Sequence, residues 1–213
     1  GLDIAALRRT EADVVHISPS HHYPTGIVMP IGRRHELLRW AAQKPGRYIL
    51  EDDYDSEFRF VGRPIPTLYS ADENRRVIYI NTFSKTIAPS IRISYMALPP
   101  ELLERFRARL GFYACTVSSF EQYTLANFMA RGHYEQHLNR MRKRYHQKRD
   151  AVIETIEKSG LGARITEQDA GLHFLMTLPT ALSDARLREQ AAARGLHLPL
   201  LSDYYRVPET APS

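Results

Sequence analysis

Cysteine is almost missing from this sequence: Cys115 stands alone among 213 residues. No internal disulfide can form, which excludes a disulfide-framework fold and fits a reducing compartment. Set among apolar and small neighbours, its thiol is expected to be buried or half-buried. No apolar run approaches the ~20 residues that a membrane-spanning helix needs, and the opening Gly1–Thr10 lacks the basic-then-apolar order of a secretory leader. We therefore expect a soluble, cytoplasmic protein. Internal repeats and low-complexity tracts are also missing, so collagen-like and disordered classes drop out. There is no initiator methionine, and the first residues read as an amphipathic segment, so the chain is expected to be a piece of something longer. Charge of one sign is not in large excess: 29 Lys and Arg against 24 Asp and Glu leave +5. That balance permits an anionic ligand but is too diffuse to indicate nucleic-acid binding.

What is present suits a packed domain, with 43% hydrophobic and 10% aromatic residues. The first half alternates short β-branched runs with helical patterns, as βαβ units with a mostly parallel sheet do. Strands are expected at Val14–Ser18, Tyr48–Glu51, Val77–Asn81 and Ile93–Leu98. A helix over Arg33–Gln43 would carry Leu37, Leu38, Trp40 and Ala41 on one side and Arg33, Arg34 and Arg39 largely on the other. After Pro99-Pro100 the character changes. Leu102, Leu103, Phe106 and Leu110 mark one helix, Ser119–Ala130 a second, and Tyr134–Lys158 a long third that Gly160 and Gly162 end. The remainder offers strand-like Leu172–Leu178, a helix over Asp184–Arg194 and strand-like Leu196–Leu201. The expected division is an α/β unit over 1–99, a helical region with a long connecting helix over 100–160, and an incomplete α+β unit over 161–213.

In open α/β sheets ligands bind beyond the carboxyl ends of the strands. There this sequence is polar: Ser18-Pro19-Ser20-His21-His22-Tyr23-Pro24-Thr25-Gly26 follows the first strand, Glu51-Asp52-Asp53-Tyr54-Asp55 the second, and Thr82-Phe83-Ser84-Lys85 the third. If the strands are neighbours, carboxylate, phenol, hydroxyls and an amine converge on one edge. A desolvated lysine there could condense with a carbonyl cofactor, although by composition alone Lys85 reads as a surface lysine. The acidic run could equally hold a divalent cation or form a solvated turn with an Asp capping the next helix.

Thr82-Phe83-Ser84-Lys85, with Arg92 seven residues on, resembles the fold type I pyridoxal-phosphate enzymes of aminotransferase class I/II. The segments Ser18–Gly26, Leu37-Leu38-Arg39-Trp40-Ala41 and Glu51-Asp52-Asp53-Tyr54-Asp55-Ser56-Glu57-Phe58 extend the likeness, and look most like the aminotransferase-like domain of MocR/GabR-type transcriptional regulators. The resemblance implies a fold type I large-domain portion with an incomplete small domain. It further implies that Lys85 forms a Schiff base with pyridoxal 5'-phosphate and that Asp52, 33 residues upstream, pairs with the pyridine nitrogen. Tyr54 would reach the ring hydroxyl, and Thr82 and Arg92 would hold the phosphate with Ser84 as a weaker candidate. Asp53, Asp55 and Glu57 are left structural. Ordinary aminotransferases of this fold carry Asn-Pro-Thr-Gly where Tyr23-Pro24-Thr25-Gly26 stands here, which favours a regulator over an efficient transaminase. The implied partners are a small amino compound or amino acid, DNA only through a domain absent from this chain, and a second copy in the parent homodimer.

Three further signals are weaker. His133 and His137 have an i, i+4 spacing that can bind zinc but not the zincin order. The run Arg140–Arg149 could touch phosphates but reads better as a solvated helix face. His173, in Gly171-Leu172-His173-Phe174, reads as a partly buried strand residue without chemistry.

Overall fold

The computed structural model describes residues 1–62 and 65–207, so the end of the expected small unit, from 208 on, lies outside the described residues. In chain order the elements are α1 (Ile4–Arg8), β1 (Val14–Ile17), α2 (Ile31–Ala42), β2 (Tyr48–Asp52), α3 (Leu68–Ala71), β3 (Val77–Thr82), α4 (Phe83–Thr86) and β4 (Ser94–Ala97). Helices α5 (Pro100–Leu110), α6 (Ser119–Ala130) and α7 (His133–Lys158) follow, then β5 (Arg164–Thr166), β6 (Leu175–Thr177) and α8 (Asp184–Ala192). No described helix is long and apolar enough to cross a membrane.

Strands β1 to β4 form one sheet in the order β1-β2-β3-β4, and β5 and β6 pair separately. The first three are parallel, and β4 runs antiparallel to β3. Val, Ile and Tyr dominate β1 to β3, as suits a pleated surface packed on at least one face. Register places Ile17 opposite Glu51, Asp52 opposite Ile80 and Thr82 opposite Ser94. The polar segments after β1, β2 and β3 therefore emerge side by side, and the start of β4 meets them at the same edge.

Helix α2 covers one face of this sheet. Its Leu37, Trp40 and Ala41 are fully buried and join Ile4, Leu7, Val15, Met29, Ile49, Leu68 and Val77 in the core. Pro45 follows the helix end and cannot continue it. Arg34 departs from the expected outward placement. It sits three residues before Leu37 and seven before Ala41, on the buried stripe, and is 1% exposed. Its guanidinium donates to the carbonyls of Met29 (3.1 Å), Pro66 (2.9 Å) and Pro19 (2.8 Å). A planar five-donor fork can gather three loop carbonyls that no aliphatic chain could satisfy. Arg34 thereby fixes both ends of the loop between β1 and α2.

Helix α7 has 26 residues and is about 39 Å long. Its basic run is more than a solvated face. Arg142 Nε donates to the Glu57 carbonyl at 2.5 Å, Arg149 Nη1 donates to the Gln168 carbonyl at 3.0 Å, and the Arg149 guanidinium lies 4.8 Å from the Phe60 ring centre. Other expectations also change. Cys115 is exposed, because it falls in the irregular segment between α5 and α6 rather than on an apolar stripe. Leu196–Leu201 is not a strand, since Pro199 interrupts its donor ladder. The strand expected over Leu172–Leu178 shrinks to β6, paired with a β5 that the sequence did not announce. His173 lies before that strand, not in it.

Candidate functional site

Asp52 is the last residue of β2, Thr82 the last of β3, and Arg92 stands two residues before β4. Strand alternation puts Glu51 on the packed side, fully buried, and leaves the Asp52 side chain 35% exposed on the other. The Asp52 Oδ2 lies 3.3 Å from His16 Nε2, on the neighbouring β1. Thr82 caps α4: its hydroxyl accepts from the Ser84 N–H at 3.2 Å and lies 3.2 Å from the Ile93 carbonyl, to which it can donate. This short turn presents Ser84 and Lys85. Arg92 adopts a left-handed backbone, φ 48°, an uncommon state for a residue with a Cβ.

Lys85 is exposed rather than desolvated as the sequence reading required. Within the described residues the side chains of Lys85 and Arg92 make no hydrogen bond or ion pair. The edge thus carries an unpaired ammonium, an unpaired guanidinium, two hydroxyls and a half-exposed carboxylate.

Beneath it the acidic run is divided among separate partners. Glu51 accepts the N–H groups of Leu68 and Tyr69, both at 2.8 Å, at the start of α3, and burial raises its carboxyl above the usual range. Asp53 Oδ2 accepts the hydroxyls of Ser56 and Tyr79, both at 2.8 Å. Asp55 Oδ2 meets His21 Nδ1 at 2.8 Å and accepts the Leu172 N–H at 3.2 Å. Each carboxylate stabilises a different turn. His137, one of the two helical histidines, directs its Nε2 to the Thr86 carbonyl at 3.0 Å, while His133 packs beside Phe128.

Tyr54 is directed inward. Its hydroxyl donates to the His21 carbonyl at 2.8 Å and lies 3.4 Å from His21 Nδ1. Burial, reinforced by the charges of Asp55 and Asp52, raises its pKa well above that of an ordinary phenol. The His173 ring stacks on His21 with centres 4.0 Å apart. Burial, then the adjacent His21, pushes the His173 imidazole down to about 4. Atoms of His21, Asp55 and His173 suited to ligating a metal lie within 4.8 Å of one another, but the Asp55 oxygen is already shared by two hydrogen bonds.

Sequence reasoning named the edge residues and missed this buried cluster. A readable hint was the coincidence of His21, two residues before Tyr23-Pro24, with an Asp-rich turn after the next strand. That Gly171-Leu172-His173 would close over them required the tertiary structure.

The model of the family described as aminotransferase class I and II matches residues 2–208. The chain is 40% identical over 212 residues to an HTH-type transcriptional regulator, YdeL, of Bacillus subtilis, covering 99% of this chain and 46% of that protein. It is 34% identical over 203 residues to the probable rhizopine catabolism regulatory protein MocR of Rhizobium meliloti, covering 94% of this chain and 41% of that one. It spans about half the length, or less, of these curated relatives. Among solved structures it resembles the kynurenine aminotransferase of Pyrococcus horikoshii, in complex with PMP, KYN as substrates and KYA as products. The TM-score is 0.84 at 27% identity, over 99% of this chain and 54% of that one.

Proposed function

The chain belongs to the aminotransferase class I and II family, and from that premise we propose that it is the pyridoxal-phosphate-binding effector domain of a transcriptional regulator. The likeness along almost its whole length to one protein named as an HTH-type transcriptional regulator and one named as a probable regulatory protein carries this reading. The replacement of the amide of Asn-Pro-Thr-Gly by Tyr23 agrees with it. DNA contact is assigned to another part of the parent protein, and the assembly is a homodimer located in the cytoplasm.

The donor set at the sheet edge fits the cofactor. Lys85 would supply the amine for the aldehyde, and the Asp52 carboxylate would hold a proton on the pyridine nitrogen. Thr82, Ser84 and Arg92 would supply hydroxyls and a guanidinium for the phosphate, and Tyr54, whose hydroxyl now donates to the His21 carbonyl, would reach the ring hydroxyl. When bound, the cofactor provides an electron sink next to the linked amine. The chain's own residues orient it and neutralise its charge. A small amino compound that favours one conformation of the loaded domain would shift the population and so the affinity for DNA.

A second reading, an amino acid aminotransferase acting through Lys85, draws support from the kynurenine aminotransferase likeness. The two readings part at turnover. Incubation of the loaded protein with a panel of amino acids and a 2-oxo acid is expected to give at most about one equivalent of keto acid per site. Sustained keto-acid production would overturn the regulator reading in favour of the enzyme.

A further inference from the structure

We infer that His21 and Asp55 are positioning residues that set the Tyr54 hydroxyl and tie it to the segment 170–173. Both side chains are 1% exposed, and they join three pieces of chain that are far apart in sequence. Tyr54 rests on the His21 carbonyl, the His21 ring bonds Asp55, and the same Asp55 oxygen takes the Leu172 N–H. Gly171 lies flat against the His21 imidazole: at φ 73° a Cβ there would come within 1.9 Å of the ring. Only a glycine permits that approach. The Gly171 N–H is held in turn by the Phe58 carbonyl at 2.8 Å, and the His173 ring lies tilted against His21 with centres 4.0 Å apart.

With Asp55 accepting from Nδ1, the imidazole keeps its proton there, and Nε2 remains a buried acceptor without a partner. His21 is therefore held by one strong bond, and its orientation depends on Asp55. Asp55 in turn divides its oxygen between His21 and the 170–173 segment. A displacement of that segment removes the Leu172 bond and uncovers one face of the His21 ring. A displacement of the Tyr54 hydroxyl pulls on His21 from the other end. The device resting on the pyridoxal-phosphate reading is a sensor: a change at a ring hydroxyl that Tyr54 would reach is passed to the segment that leads into β6.

Hydrogen exchange of peptides covering 170–174, read by mass spectrometry on the whole chain with and without pyridoxal phosphate, tests both levels. Without cofactor, Tyr54→Phe removes only one hydroxyl yet is expected to speed exchange at 171–173 by about three-fold or more, leaving the β1–β3 peptides unchanged. Asp55→Asn is expected to do so more strongly. Combining the two is expected to add little, since both act through His21. If Tyr54→Phe leaves 171–173 untouched, or the two effects simply add, the coupling is wrong, whether or not cofactor binds. Should Asp55→Asn fail to fold, Gly171→Ala, which pushes on His21 from the segment side, replaces it in the cycle. With cofactor, wild-type exchange at 171–173 is expected to change and the Tyr54→Phe response to vanish. A full response in Tyr54→Phe would also overturn the proposal. Failure of cofactor to bind wild type, with the apo coupling intact, would instead overturn the pyridoxal-phosphate reading alone.

Discussion

Residues 1–99 and 100–207 are built on different terms. The first region buries Leu37, Trp40, Ala41, Ile49, Phe58, Leu68 and Val77 completely. In the second, among the described residues, the buried apolar side chains are Leu138, Ala170 and Ala191, while Phe112, Tyr113, Phe120 and Tyr123 are 69–79% exposed. The sheet region carries its own core and holds its polar edge rigidly. The helical region attaches through a few specific contacts, such as the Arg142 bond to the Glu57 carbonyl and the Arg149 guanidinium over the Phe60 ring, and keeps much of its apolar surface on the outside. Rigid support lies where the candidate cofactor residues sit, and adaptable contacts lie where a conformational response would be read out.

The largest expected effect is that of Trp40→Ala. Loss of a fully buried indole should cost ~3–5 kcal/mol, whereas Phe120→Ala, at 79% exposure, should stay within ~0.5 kcal/mol. Urea denaturation of both variants measures the contrast, and equal losses would break it.

Arg34→Met comes next. It removes the Arg34 donor from the carbonyls of Pro19, Met29 and Pro66, of which Pro19 keeps the Met29 N–H, at roughly 3 kcal/mol. Arg149→Ala, which removes the bond to the Gln168 carbonyl, an exposed pairing with Asp150 and the contact with the Phe60 ring, should cost only ~1 kcal/mol. An inverse order would mean that the helical region is the better anchored of the two.

A smaller effect comes from pH. His173, facing His21, Asp55 and Tyr23, is held near 4 in the folded chain, against ~6.5 when unfolded. Between these values the unfolded chain binds more protons, so stability falls as pH drops from ~6.5 toward 4 and is fully present above. The thermal midpoint should decline between pH 7 and pH 5, and His173→Phe should flatten that decline. A midpoint in wild type that rises over this interval would contradict the assignment.

Much of this arrangement was legible in the sequence where a local pattern determined it. The β-branched runs placed β1 to β3, Ser119–Ala130 was read at its observed limits, and the polar residues after each strand marked the edge. Arg34 was misjudged although its spacing to Leu37 and Ala41 was available; its charge outweighed its position, and loop carbonyls gathered only in three dimensions explain its burial. Cys115 was misjudged because neighbour composition says little inside an irregular segment. The β5–β6 pair joins residues 9 to 13 apart but has only three residues in each strand, too few for a clear alternation, and the closure of Gly171 over His21 depends on a contact more than a hundred residues apart, for which no local pattern exists.

Titration of the purified chain with pyridoxal phosphate, then borohydride reduction and mass spectrometry of the labelled peptide, tests the central claim most directly. The account predicts one stable label per chain, on Lys85, lost in Lys85→Ala and weakened in Asp52→Asn. A folded chain that takes no label, or takes it equally on surface lysines, would contradict it.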